Sequence, residues 1–175
     1  YLSVKQVKVD LQEAKYKFIQ EWGVLGSSWG INRAMAQIHA LLMLAPESKT
    51  TDEVMEELKI SRGNANMNMR ALIDWGLVFK EYKPGERKEY FYAEKDLWNV
   101  MKQIAKERRK REIVPIRDVL AEVSEAELGN TAEGKEFKKV TKDIDAIISK
   151  FDGFIDIAAK SDQNWFLKVL SKLIK

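Results

Sequence analysis

The sequence predicts a mainly α-helical fold with a small β-hairpin wing: a winged helix-turn-helix with N- and C-terminal dimerisation helices. Three observations lead there. Glycine and proline are scarce, 9 and 3 of 175 residues, so little interrupts helix. Apolar residues recur at helical spacing along most of the chain. Residues 78–93 depart from that spacing, with two aromatic-rich runs flanking Pro84-Gly85, the mark of two strands and a turn.

The elements follow in order. Residues 4–22 read as one helix, on Val7, Leu11, Ala14, Phe18 and Trp22. Gly23, Gly26 and Gly30 argue against extending it. Residues 31–44 read as a buried helix, on Met35, Ile38, Leu41, Leu42 and Leu44, with Pro46 as its stop. Thr50 and Glu53 have capping-box spacing and open a short helix to about Leu58. Lys59-Ile60 is a turn. Ser61 then caps a helix that reaches about Trp75, with Gly76 at the position after its end. Strands at 77–82 and 89–93 enclose the turn Lys83–Lys88, whose proline costs the strand ladder no hydrogen bond.

Beyond the hairpin the chain returns to helix. Asp96 caps a segment to about Arg111, and Pro115 opens another that fades near Gly129-Asn130. Two further helices are expected at 133–151 and 154–174. Their stripes (Phe137, Val140, Ile144, Ile147, Ile148 and Phe151; Trp165, Phe166, Val169, Leu170 and Leu173) are too apolar for a free tail. They must pack on the domain or on a second copy. The expected organisation is an N-terminal helix and connector for dimerisation (1–30), the winged helix-turn-helix (31–95) and a helical dimerisation region (96–175).

Composition removes several classes. The chain has no cysteine, which excludes disulfides, thiolate metal sites and cysteine nucleophiles. Its one histidine, His39, lies on an apolar helix and reads as a buried or interfacial ring. No phosphate loop, metal-ligand spacing or nucleophile motif is present, so neither an enzyme nor a cofactor or metal is expected. No apolar run approaches the ~20 residues of a bilayer span. The first residues lack the order of a secretion signal, and the expectation is a cytoplasmic protein with no membrane partner. Lys+Arg exceed Asp+Glu by 30 to 27, so any nucleic-acid signal must be local.

That local signal is the helix from Ser61. Ala65, Met69, Leu72 and Gly76 share one face and should meet the core. The opposite face offers Arg62, Gly63, Asn64, Met67 and Arg70, with Asn66 and Asn68 on the flanks to reach phosphates. Arginine pairs with guanine, asparagine with adenine, and methionine can touch a thymine methyl. Asparagine is a poor helix former, and a merely solvated face would use Glu, Lys or Gln. The wing adds Lys83, Arg87 and Lys88 for backbone contact. The expected partner is double-stranded DNA, read by Ser61, Arg62, Gly63, Asn64, Asn66, Met67, Asn68, Arg70 and the wing cations. A different use of the same face, as a protein-interaction module, stays open at this point. The run Lys106–Arg111 reads as a solvated helix end.

Trp22-Gly23-Val24-Leu25-Gly26-Ser27-Ser28-Trp29-Gly30-Ile31-Asn32-Arg33 resembles the approach to the helix-turn-helix in GbsR-type regulators, a branch of the MarR superfamily. Ile60-Ser61-Arg62-Gly63-Asn64 through Trp75-Gly76-Leu77-Val78 resembles that branch's recognition helix, and Pro84-Gly85-Glu86-Arg87-Lys88 its wing. The resemblance covers roughly residues 15–100. It implies a cytoplasmic transcriptional regulator, more commonly a repressor, acting as a homodimer with intertwined terminal helices. It also implies a link to compatible-solute or osmotic-stress genes and, in some relatives, a quaternary ammonium effector. An aromatic cage would hold such a cation, and Trp22, Trp29 and Trp98 are its candidate rings.

Overall fold

The computed structural model describes residues 10–124, 126 and 129–161. The chain divides into two compact units, with the boundary between Asp96 and Leu97. Val7, the start of the first expected helix and the Trp165–Leu173 stripe lie outside the described residues.

The first unit opens with α1, Leu11–Ser28, whose N-terminus is capped by Asp10 accepting from the Glu13 amide at 2.8 Å. The helix runs through Gly23 and Gly26, against the expectation of a break there. Both glycines are buried against α2, Arg33–Leu44. A Cβ on residue 26 would stand 2.6 Å from Cβ of Ala36, and one on residue 23 would stand 2.7 Å from Cγ of Gln37. The glycines therefore serve close helix packing, which outweighs their conformational cost of about 1 kcal/mol each. Only Gly30 ends the helix. Its φ is +74°, and its amide and that of Ile31 return to the carbonyls of Ser27 and Gly26, at 3.0 and 2.8 Å.

Asn32 caps α2, accepting from the amides of Ala34 and Met35. Most of α2 is buried, as the central element of the unit. The side chains of Ile38, Leu42, Val54, Met69, Leu72 and Val78 are fully enclosed around it. Burial of each such side chain contributes about 1.5–3 kcal/mol, more than any exposed ion pair of the unit. Helix α3, Thr51–Leu58, has the complete Thr50–Glu53 capping box. Lys59, at φ 53°, turns the chain toward Ser61. Helix α4, Arg62–Asp74, follows, capped by the Ser61 side chain. Gly76, at φ +68°, closes it, with its own amide and that of Leu77 bonded back to Ile73 and Leu72.

The hairpin is antiparallel, β2 (Val78–Tyr82) on β3 (Glu89–Ala93), in the register Val78↔Ala93 to Tyr82↔Glu89. A third strand absent from the sequence reading, β1 (Lys49–Thr50), pairs with β3, giving the order β1-β3-β2. Two residues carry no alternation to read; the pairing exists because α2 and α3 bring them to the β3 edge.

In the second unit α5, Leu97–Arg108, passes through a π-helical turn, Arg109–Ile113, into α6, Val114–Ser124. Pro115 explains the widened turn. It cannot bond the Arg111 carbonyl, and its ring needs the room that an α-turn would deny. Helix α7 is one continuous element, Ala132–Lys160, capped by Thr131. This corrects the expected division at 151–154. Gly153 stays helical, and its neighbour Asp152 is buried in the unit, paired with Arg109 and with Arg117 at 2.9 Å. Those arginines hold its carboxyl below the usual carboxylate range, Arg109 most strongly. The outer face of α7 leaves Phe137, Val140, Ile144, Ile147, Phe151 and Phe154 exposed.

Candidate nucleic-acid interface

The packing of α4 decides which of its side chains face outward. Ala65, Met69 and Leu72 are buried in the core, as their spacing predicts. The opposite face is open: Arg62, Gly63, Asn66, Met67 and Arg70 are exposed. Met67 is 60% exposed. A Cβ added at Gly63 would meet nothing within 4 Å. Its lack of a side chain thus serves no internal packing and leaves the backbone open to close approach. Ser61 is exposed, its Oγ accepting from the Asn64 amide at 3.3 Å. Asn64 is half-buried.

Asn68 is a correction. It is 3% exposed and donates inward to the Asn64 carbonyl at 2.9 Å and to Asn64 Oδ1 at 2.5 Å. The position four residues on from Asn64 turns toward the core, so Asn68 cannot reach a phosphate. Arg62 has a partner the sequence did not reveal: its Nη2 donates to Asp52 Oδ1 of α3 at 2.5 Å. Both side chains are more than half exposed, so the pair is worth under about 1 kcal/mol but restrains a long side chain beside the open face. Nothing in the ten-residue separation marks it; the turn between the two helices makes it.

The wing stands next to this face. Pro84 and Gly85, the latter at φ +81°, form its tip, closed by the Glu86 amide on the Lys83 carbonyl at 3.1 Å. Its cations divide into two sets. Lys80 donates to Glu89 at 2.8 Å, and Lys83 lies 4.2 Å from the Tyr90 ring centre. Arg87 and Lys88 have no ion pair among the described residues and remain exposed. The hydrogen bond from Lys80, with a second from Tyr82, holds the Glu89 carboxyl below its ordinary range. The charge of Arg70 also reaches both Lys80 and Glu89, a minor influence beside the bond between those two.

The tryptophans do not assemble a cage within the first unit. Trp22 stacks on Phe18 at 5.5 Å and lies 6.5 Å from the His39 ring, with no ring pair joining it to Trp29, which is exposed. Trp98 belongs to the second unit, where its indole donates to the Ser161 carbonyl at 3.3 Å. His39 is buried, as read from the sequence, with Nε2 unbonded among the described residues. Burial lowers its pKa to about 4. Among the described residues no acidic or histidine cluster could hold a metal, and no helix is long and apolar enough to cross a membrane.

No family model matches the chain. Among curated proteins it is 29% identical over 85 residues to the HTH-type transcriptional repressor GbsR of Bacillus subtilis (strain 168), covering 49% of this chain and 47% of that one. The match thus spans about half the length of the relative. A solved structure described as a transcriptional regulator superposes with a TM-score of 0.56 at 17% identity, over 82% of this chain and 98% of that one. A MarR transcriptional regulator from Methanosarcina mazei Go1 aligns more loosely, with a TM-score of 0.33, 16% identity and coverage of 95% and 90%. The capped α4 and the hairpin beside it form a winged helix-turn-helix, the chain shares its fold with the first of these structures, and about half of it is similar to the GbsR repressor.

Proposed function

We propose that the protein is a sequence-specific double-stranded DNA-binding transcriptional regulator that works as a homodimer in the cytoplasm and represses by occupying its promoter. One observation carries this reading. The outward face of α4 combines Arg62, Gly63, Asn64, Asn66, Met67 and Arg70, and the wing beside it keeps Arg87 and Lys88 free of ion pairs. An α-helix with such a face fits the major groove, while wing cations reach the flanking backbone. Homodimer formation is supported by the open seam of α7, where Phe137, Val140, Ile144, Ile147, Phe151 and Phe154 alternate at three and four residues. A twofold assembly would read half-sites about 34 Å apart. Repression is the role of the Bacillus relative; the link to compatible-solute genes and the quaternary ammonium effector rest on the family resemblance alone.

The test is an electrophoretic shift with the DNA upstream of the gene, at several salt concentrations, for the wild type and for Arg62→Ala and Arg70→Ala. Affinity is expected to fall steeply with salt, because phosphate contacts release counterions, and by about tenfold or more in each variant. Unchanged binding by both variants, or no duplex bound at low salt, overturns the reading.

A further inference from the structure

The orientation of the Asn64 amide is set from behind by a buried side chain, and this has a consequence for what α4 can read. The Asn64 backbone carbonyl can only accept a hydrogen bond. The Asn68 atom 2.9 Å from it is therefore the amide nitrogen. The second hydrogen of that nitrogen points at the Asn64 side chain, 2.5 Å away, so the atom it meets there is Oδ1. Asn68 is buried, and a turned amide would set its oxygen against two acceptor oxygens of Asn64. Both hydrogens of its amide are used, and both hold Asn64. With Oδ1 pinned on the core side, the outward edge of Asn64 is its NH2 group.

We infer that Asn68 is a positioning residue that turns the amino edge of Asn64 outward, and that the base facing Asn64 bears a keto oxygen in the major groove, guanine or thymine. This rests on the DNA-binding reading above. In the major groove guanine shows O6 and N7 and thymine shows O4, all acceptors; cytosine shows an amino donor, and adenine sets its N6 amino donor beside the N7 acceptor. An asparagine free to turn would take adenine, accepting from N6 and donating to N7. With Oδ1 turned toward Asn68, that pairing would need the one oxygen to serve Asn68 and adenine N6 together, and the outward NH2 would meet the N6 amino group instead. The sequence expectation of asparagine with adenine is thereby reversed at this position. Asn66, exposed on the same helix, has no such restraint.

The experiment is selection of bound duplexes from a random pool by the full chain, for the wild type, Asn64→Ala and Asn68→Leu, with thermal midpoints measured alongside. The wild type is expected to enrich a motif with one position favouring guanine or thymine about tenfold over adenine and cytosine. Asn64→Ala should lose that preference alone. Asn68→Leu should keep the rest of the motif while adenine rises to within about threefold at that position. A purely structural role for Asn68 would move the thermal midpoint and leave the profile intact, and that result overturns the inference. Adenine at the Asn64 position in the wild type overturns it too. Should Asn68→Leu fail to fold, the wild type alone decides: replacing the keto base by its amino counterpart, 2,6-diaminopurine opposite thymine for guanine or 5-methylcytosine opposite guanine for thymine, so that the duplex stays paired, should weaken binding about tenfold, and equal binding is fatal. Enrichment of no duplex by the wild type sinks the DNA-binding reading itself, and the inference with it.

Discussion

Gly26 of α1 packs directly against Ala36 of α2: a Cβ on residue 26 would lie 2.6 Å from that of Ala36. The methyl of Ala36 is rigid, so Gly26→Ala must push the helices apart. The expected cost is about 1–3 kcal/mol despite the gain in helix propensity. At Gly23 the obstacle is Cγ of Gln37, part of a flexible side chain, so Gly23→Ala should cost less. Thermal denaturation of the two variants checks the order; a Gly26→Ala protein as stable as the wild type would refute this account of the packing.

Arg87 and Lys88 are the unpaired cations of the wing tip. Arg87→Ala and Lys88→Ala should each weaken DNA binding about equally on all duplexes, and each should reduce the salt slope by about one. Lys80→Ala should do less, since that ammonium already faces Glu89. A changed sequence preference in the tip variants would mean that the wing reads bases.

His39 titrates near 4 in the folded protein and near 6.5 when unfolded. The sign follows from that order. Above about pH 6.5 the imidazole is neutral in both states and costs nothing. As the pH falls from 6.5 toward 4 the unfolded chain takes up the proton first, so stability drops, by up to about 3 kcal/mol. His39→Leu removes this proton uptake and the unbonded Nε2. Its stability should be flatter between pH 6.5 and 4 and no lower than wild type at pH 7. Denaturant melts at pH 7 and pH 5 test it, and an unchanged pH slope would show that another group controls the acid limb.

Ile147 is 68% exposed in the single chain, so Ile147→Glu should cost the fold of its own unit under about 0.5 kcal/mol. In a dimer joined through the α7 seam the same change places two carboxylates in an apolar contact. Analytical ultracentrifugation should then find monomer where the wild type is dimer, with loss of two-half-site binding. A dimeric Ile147→Glu protein would exclude this seam as the interface.

Much of the interface was legible because its devices are local. The Thr50–Glu53 box, the Ser61 cap, the Gly76 closure and the Pro84-Gly85 turn each depend on residues within a few positions of one another. Local hydrogen bonds of that kind are written in spacing. The 3.6-residue period likewise separated the buried face of α4, Ala65, Met69 and Leu72, from its open one.

The remainder depended on neighbours in space, which spacing does not encode. Gly23 and Gly26 look like helix breakers until α2 lies against them. Lys49-Thr50 is a strand only because β3 runs beside it, and α7 continues through Gly153 while Asp152 is held by arginines 43 and 35 residues away. Asn68 reads as a flanking phosphate contact, yet it is buried and fixes Asn64, and the companion of Arg62 proves to be Asp52. In the sequence, then, lay the capped helices, the wing and the side chains available to a partner. Tertiary packing decided which of them face outward and in what orientation, because burial and long-range pairing act across distances that no local pattern records.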